Sequence, residues 1–292
     1  MKLNVFAAGL AASTFLAGGA QAGVLYAIDN QGDQIITIDP TTGATSVHAS
    51  LASGNYSGLA LDGAGNFIAS NNNPFGPEGS IVTFDGTTGA TLNSVASTPA
   101  GSGESFGFVG LEFASDGTLF GNLGQSIDDL ATIDPVTGEY TTVISVGAPG
   151  PSGGFIGLIE IAIDSNDVIY SYDTLTQSFL TVDPVLGVSV ISTGAYSASF
   201  ESALVFGDND VLYMVTTGFT DELITIDPTT GAVINTLVLG DGSLNLTGLA
   251  FAKSDGGDPD PEPPVETPVP ASIWFLAVGA AGIAGAARRR GR

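Results

Sequence analysis

The chain contains no cysteine, one histidine, one tryptophan and only six basic residues among 292. Without cysteine there is neither a disulfide framework nor a thiolate ligand or nucleophile. The single histidine, His48, cannot build a histidine-cluster metal site, and nothing around it has the form of a nucleophile elbow that a Ser-His-acid triad would use. The basic residues are Lys2, Lys253, Arg288, Arg289, Arg290 and Arg292, so the body between the two ends sets Lys253 alone against 30 acidic residues. Phosphate backbones are held by clustered Lys and Arg, which excludes nucleic acid as a partner. No glycine-rich loop with a basic residue is present to cradle a phosphate, and no organic cofactor is expected. A body so acidic repels itself at low ionic strength and is relieved by salt or divalent cations, which suits a saline or polyanion-rich exterior.

What the chain does have is a repeat. The stretch from Thr37 to Gly43, TIDPTTG, recurs as TFDGTTG, TIDPVTG, TVDPVLG and TIDPTTG, with aspartates at 39, 85, 134, 183 and 227. Even spacing of about 47 residues means stacked or ring-arranged supersecondary units. In each copy the Asp can accept hydrogen bonds from the turn, Pro where present sets φ, and Gly supplies the positive φ that closes a hairpin. The residues one, three and four places before the Asp are apolar in every copy, for example Ile38, Ile36 and Ile35. A strand apolar on both faces is enclosed between layers rather than half in water.

Each unit resolves into four strand slots: an inner piece at Leu59, Leu111, Ile161, Leu204 and Leu249, a second strand after a short polar turn, the strand before the Asp turn, and one leaving it. Four antiparallel strands joined by hairpins form a β-propeller blade. Val24 to Ile28 reads as a second strand with no inner strand before it, and Leu249 to Ala252 as an inner strand with no second strand after it. Joined, they complete a fifth blade and close the ring, leaving no open edge at the seam. The expectation is an all-β, five-bladed β-propeller over residues 23–253.

Carboxylates are the only candidate chemistry. Glu112, Glu160 and Glu201 fall in or just before inner strands of successive blades, where a glycoside hydrolase could use a channel acid/base pair. The Asp-rich turns at Asp62, Asp116, Asp164 to Asp167 and Asp208 to Asp210 could hold weak Ca²⁺, though hairpin turns use the same residues and no EF-hand spacing is present. The long connections collect on one face with Tyr56, Phe75, Phe106, Phe155, Tyr196 and Phe219, the natural face for a glycan or a surface protein.

The two ends carry address information. Lys2, an apolar core from Val5 to Leu16 and the small residues Ala20 to Ala22 form a secretory signal over residues 1–22, to be cut by signal peptidase between Ala22 and Gly23. Residues 254–267 are a Pro and acid-rich linker unable to bury a core. The tail, 268–292, contains Pro268-Val269-Pro270-Ala271-Ser272, an apolar helix over 273–287 and the basic cluster Arg288, Arg289, Arg290. Fifteen helical residues cover about 22 Å, short of a roughly 30 Å hydrocarbon core, so the anchor is transient, with the arginines cytoplasmic.

This tail resembles the PEP-CTERM sorting signals in their VPxPA-type variant, with Thr267 where Val is usual. The resemblance implies a Gram-negative host that makes exopolysaccharide. It also implies an exosortase that cuts near the Pro motif, and passage from the inner membrane to the cell surface or medium. The combined expectation is a noncatalytic exported propeller, a binding or structural protein of the surface or matrix. The alternative is a polysaccharide-acting hydrolase.

Overall fold

The computed structural model describes residues 23–72, 79–101, 106–123, 129–145, 158–174, 176–194, 196, 202–217, 220–240 and 242–253. The signal segment 1–22, the linker, the sorting tail and its expected helix over 273–287 lie outside the described residues. Among the described residues no helix is long and apolar enough to cross a membrane.

The first blade holds β1 (Val24–Asp29), β2 (Gln34–Ile38) and β3 (Thr45–Ser50), and the second holds β4 (Tyr56–Leu61), β5 (Phe67–Asn72), β6 (Gly79–Phe84) and β7 (Thr91–Ala96). The third has β8 (Thr98–Pro99), β9 (Phe108–Phe113), β10 (Leu119–Leu123), β11 (Asp129–Ile133) and β12 (Glu139–Ser145). The fourth has β13 (Leu158–Ile163), β14 (Ile169–Asp173), β15 (Ser178–Asp183) and β16 (Gly187–Thr193). The fifth has β17 (Ala203–Phe206), β18 (Leu212–Thr216), β19 (Asp221–Ile226) and β20 (Val233–Leu239), and β21 (Leu246–Ala252) ends the ring.

β21 pairs antiparallel with β1, in register Val24 to Ala252 and Leu25 to Phe251, so the last strand completes the first blade. The inner strands β4, β9, β13, β17 and β21 each touch the next, and β21 returns to β4. The molecule is therefore a closed five-bladed β-propeller. One departure from four-stranded blades occurs in the third, where β8 adds in parallel outside β12. This short strand lies in the connection between the second and third blades. Pro99 is tolerated because an edge strand does not need its missing N–H.

The turn chemistry explains the repeat. Asp39 Oδ1 accepts hydrogen bonds from the Thr41 N–H at 2.8 Å, the Thr41 hydroxyl at 2.7 Å and the Thr42 N–H at 3.3 Å. These donors, the Thr41 hydroxyl first, hold its pKa down to about 2. Gly43 takes φ 72, and its counterparts Gly89, Gly138, Gly187 and Gly231 are likewise positive. The preceding strand is buried on both faces, as in Ile35, Ile36 and Ile38, because apolar clusters lie on each side of it.

The core consists of five clusters, each filling one seam between neighbouring blades. The seam between blades one and five includes Leu25, Ile36, Leu223 and Leu249. Each such side chain contributes about 1.5–3 kcal/mol when fully buried. Ring closure is thus held by the same apolar contact as every other seam.

Candidate functional site at the propeller axis

The five inner strands share a register. Gly58, Gly110, Glu160, Ala203 and Gly248 each precede a fully buried aliphatic residue, namely Leu59, Leu111, Ile161, Leu204 and Leu249. At the glycines the strands are too close for any side chain. A Cβ on Gly58 would lie 2.9 Å from the Leu111 nitrogen, and one on Gly248 would lie 2.9 Å from the Leu59 nitrogen. Glu160 places a carboxyl at a register where three of the other four blades carry only hydrogen.

Glu160 is 0% exposed, and neither of its carboxyl oxygens has a hydrogen-bond partner. Burial first, and then Glu112, raise its pKa well above the ordinary glutamate value. The backbone N–H groups of Leu204, Leu59 and Leu111 oppose the shift without closing a hydrogen bond. Those amides come from three different inner strands, so the carboxyl stands among the unpaired inner edges of the ring. Glu112 is partly buried as a residue, but its Oε2 is sealed and unpartnered. Burial pushes its pKa up to about 8, against the Phe113 N–H, which donates to Oε1 at 3.3 Å, and the more distant Lys253. Both shifts favour the protonated acid. Glu201 lies outside the described residues.

Around this axis, asparagines in or just after the second strands tie blade one to two, two to three and three to four. Asn30 Nδ2 donates to the Tyr56 carbonyl at 2.7 Å, and the Tyr56 N–H donates to Asn30 Oδ1 at 3.0 Å. Asn72 Nδ2 donates to the Phe108 carbonyl at 3.0 Å, and Asn122 Nδ2 to the Leu158 carbonyl at 3.3 Å. Asn122 is fully buried, and its Oδ1 has no partner. The sequence reading passed over these asparagines. Their signal in the sequence was weak: Asn30 and Asn72 occupy equivalent places at the ends of their second strands, but Asn122 sits two places earlier in its own.

The aromatic face is less open than the sequence suggests. Tyr56 is 4% exposed, set edge-on to Phe84 with its hydroxyl donating to the Ala52 carbonyl, so it belongs to a seam and not to a contact surface. Phe106 packs partly buried against the seam between blades two and three. Tyr196 is likewise partly buried, its hydroxyl donating to Glu222 Oε2 at 2.8 Å and its carbonyl accepting from the Tyr172 hydroxyl. Phe75, Phe155 and Phe219 lie outside the described residues.

Asp62 Oδ1 accepts from the Ala64 and Asn66 N–H groups at 2.9 and 2.7 Å. Asp164 does the same for Asn166 and Val168, both at 2.9 Å. These carboxylates are engaged by their own turns. Among the described residues no group of three or more His, Cys, Asp or Glu side chains is gathered in a way that could hold a metal. His48 packs edge-on to Tyr26 and Phe67, with Nε2 2.7 Å from the Gly86 carbonyl, which makes it a seam residue.

The class defined by this architecture is a closed five-bladed propeller with a glycine-walled axis and a buried acid pair. No family model and no curated protein matches the chain. Among solved structures, a protein of unknown function from Bacteroides caccae is similar at 12% identity, covering 79% of this chain and 99% of its own, with a TM-score of 0.42.

Proposed function

We propose that this chain is a noncatalytic exported propeller, a structural or binding component of the bacterial cell surface or extracellular matrix, sorted by an exosortase-type system. Export is supported by the signal over 1–22, and sorting by the motif Pro268 to Ser272 with its apolar run and arginines. The transient inner-membrane anchor is residues 273–287, and the final address is the surface or the medium. The body, with Lys253 as its one base, is built for a partner that is neutral, cationic or bridged by cations.

The observation that carries the noncatalytic reading is the burial of Glu160. A raised carboxyl pKa is what a general acid needs, and Glu112 has one. A glycosidase pair must also flank a sugar, and a fully enclosed Glu160 is poorly placed to do so. The pair serves better as a neutral plug of the axis.

Two experiments test this. The intact mass of the native protein, recovered separately from membranes and medium, is expected to give a species starting at Gly23 and ending near Pro270 outside the inner membrane. A species retaining Ile273 to Arg292 would replace sorting by permanent tethering. Glycoside turnover abolished by Glu112→Gln or Glu160→Gln in a still-folded protein would replace the scaffold by the hydrolase.

A further inference from the structure

The backbone N–H of Gly23 donates to Asp208 Oδ2 at 3.1 Å, across 185 residues of sequence and from blade one to blade five. The contact lies at the ring seam, one residue before β1, where Val24 pairs with Ala252. Only glycine fits there. A Cβ on Gly23 would stand 2.1 Å from Phe251 Cζ and 2.7 Å from the Ala252 carbonyl oxygen. Phe251 and Tyr213 pack against the cluster of the closing seam, so the glycine lies on the joint itself.

Gly23 is also the residue that signal cleavage would leave first. Hydrolysis of the Ala22–Gly23 peptide consumes one water, leaves a carboxylate on Ala22, and turns the Gly23 amide into an α-amine, protonated below its ordinary pKa of about 8. The atom that donates one neutral hydrogen bond before cleavage becomes an ammonium facing the same carboxylate after it. Charge-assisted hydrogen bonds are roughly twice as strong as neutral ones. Gly23 is itself buried but lines a groove with Val24, Ile38, Asp39 and Thr41, into which the remaining ammonium hydrogens would point once residues 1–22 are removed.

We propose that removal of residues 1–22 creates an ion pair between the new Gly23 α-ammonium and Asp208, and that this pair locks the ring seam once the chain has been exported. The proposal rests on the export reading. It goes beyond that reading by giving the cleavage position a structural consequence. It also accounts for a carboxylate at Asp208, where the turns of blades two and four carry Gly63 and Ser165.

Among the described residues, Asp208 meets the new terminus and Asp39 lines the groove with it, while Tyr213 lies near Asp208, and Asp210 near Lys253. Lys253 is the only Lys or Arg among the described residues, and it already acts on Asp210. Asp208 raises the folded-state pKa of the α-amine. Its stabilisation is therefore complete below the unfolded value of about 8 and is lost as pH rises through the folded value.

The test uses the chain from Gly23 to Arg292 behind a removable amino-terminal tag whose protease leaves Gly23 first, melted before and after cleavage. At pH 6.5 cleavage should raise the melting temperature by about 2–6 °C, a gain lost at pH 10 and absent in Asp208→Asn. Carbamylation of the freed α-amine, which removes its charge without a substitution, should abolish the same gain and covers the event that Asp208→Asn does not fold. An equal gain with and without the Asp208 charge, or no gain at pH 6.5, overturns the lock. Amino-terminal sequencing of the natively exported protein is a separate readout. A start other than Gly23 refutes the export reading while the melts still judge the pair.

Discussion

Gly110 lies directly against Glu160: a Cβ on the glycine would stand 2.8 Å from the Glu160 Cα, 2.7 Å from the Ile161 nitrogen and 2.4 Å from Asn122 Oδ1. Neighbouring inner strands meet backbone to backbone at this level. The absence of side chains at Gly58, Gly110 and Gly248 therefore sets how closely five blades converge.

Gly110→Ala should accordingly destabilise the ring by about 2–3 kcal/mol, a fall of about 5–10 °C in melting temperature. Two of its three nearest atoms are backbone and cannot rotate away. Gly63→Ala, in a turn with nothing within 4 Å, should stay within about 0.5 kcal/mol of wild type. Equal melts for the two variants would contradict the close approach at the axis.

The acid pair predicts an unusual pH profile. Glu112 rises from 4.5 to about 8 on folding, and Glu160 shifts in the same direction. The folded state therefore binds more protons than the unfolded state across that window, and stability falls as pH climbs from about 4.5 to about 8, by about 1.4 kcal/mol per unit for each group still titrating. The turn aspartates work the other way. Asp39, held to about 2 from 3.8, contributes stability above 3.8 that is lost as pH falls through the lower value. Maximum stability is expected near pH 4–5. Glu160→Gln, which cannot ionise, should raise the melting temperature at pH 8 by about 5 °C or more and flatten the alkaline slope. A wild-type melt that is constant between pH 5 and 8 would refute the buried pair.

The blades are also clasped on the short-turn face. Asp167 accepts from the Ser115 N–H and the Ser115 hydroxyl, both at 2.7 Å, and Asp210 holds Ser165 in the same way at 3.0 and 2.7 Å. Ser115→Ala and Asp167→Asn should each lower the melting temperature, and the double variant should lose little more than the worse single one. Additive losses would mean that the two side chains act independently.

Turn glycines should differ in cost by blade. Gly138 combines φ 76 with a close approach, since a Cβ would sit 2.2 Å from the Ala96 carbonyl of the preceding blade. Gly187 has φ 91, but its nearest neighbour is Ile144 Cδ1 at 4.0 Å. Gly187→Ala should cost about 1–2 kcal/mol for the left-handed backbone alone, and Gly138→Ala about 3 kcal/mol or more. Denaturant midpoints of the two variants measure the difference, and the reverse order would refute the inter-blade role of Gly138.

Much of this architecture was legible in the residues because its causes are local and repeated. Alternating apolar positions, Asp and Gly at fixed turn sites, and five evenly spaced copies specify strands, hairpins and blade number through short-range physics. Even the closing partnership of β1 and β21 could be read, since each end lacked what the other supplied. The same locality explains the misses. The aromatic character of Tyr56 says nothing about which way its ring turns, and only the packing of blades one and two buries it.

The sequence by itself determined the strand order, the turn type, the ring closure and the poverty of chemical groups, because each follows from patterns within a few residues or from simple absence. Only the tertiary structure decided that Glu160 is sealed rather than open, that Asn30, Asn72 and Asn122 clasp neighbouring blades, and that Gly23 meets Asp208. Those are contacts between residues tens to hundreds of positions apart. Their geometry is set by how tightly five independent sheets converge on one axis, and no local period in the chain encodes that distance.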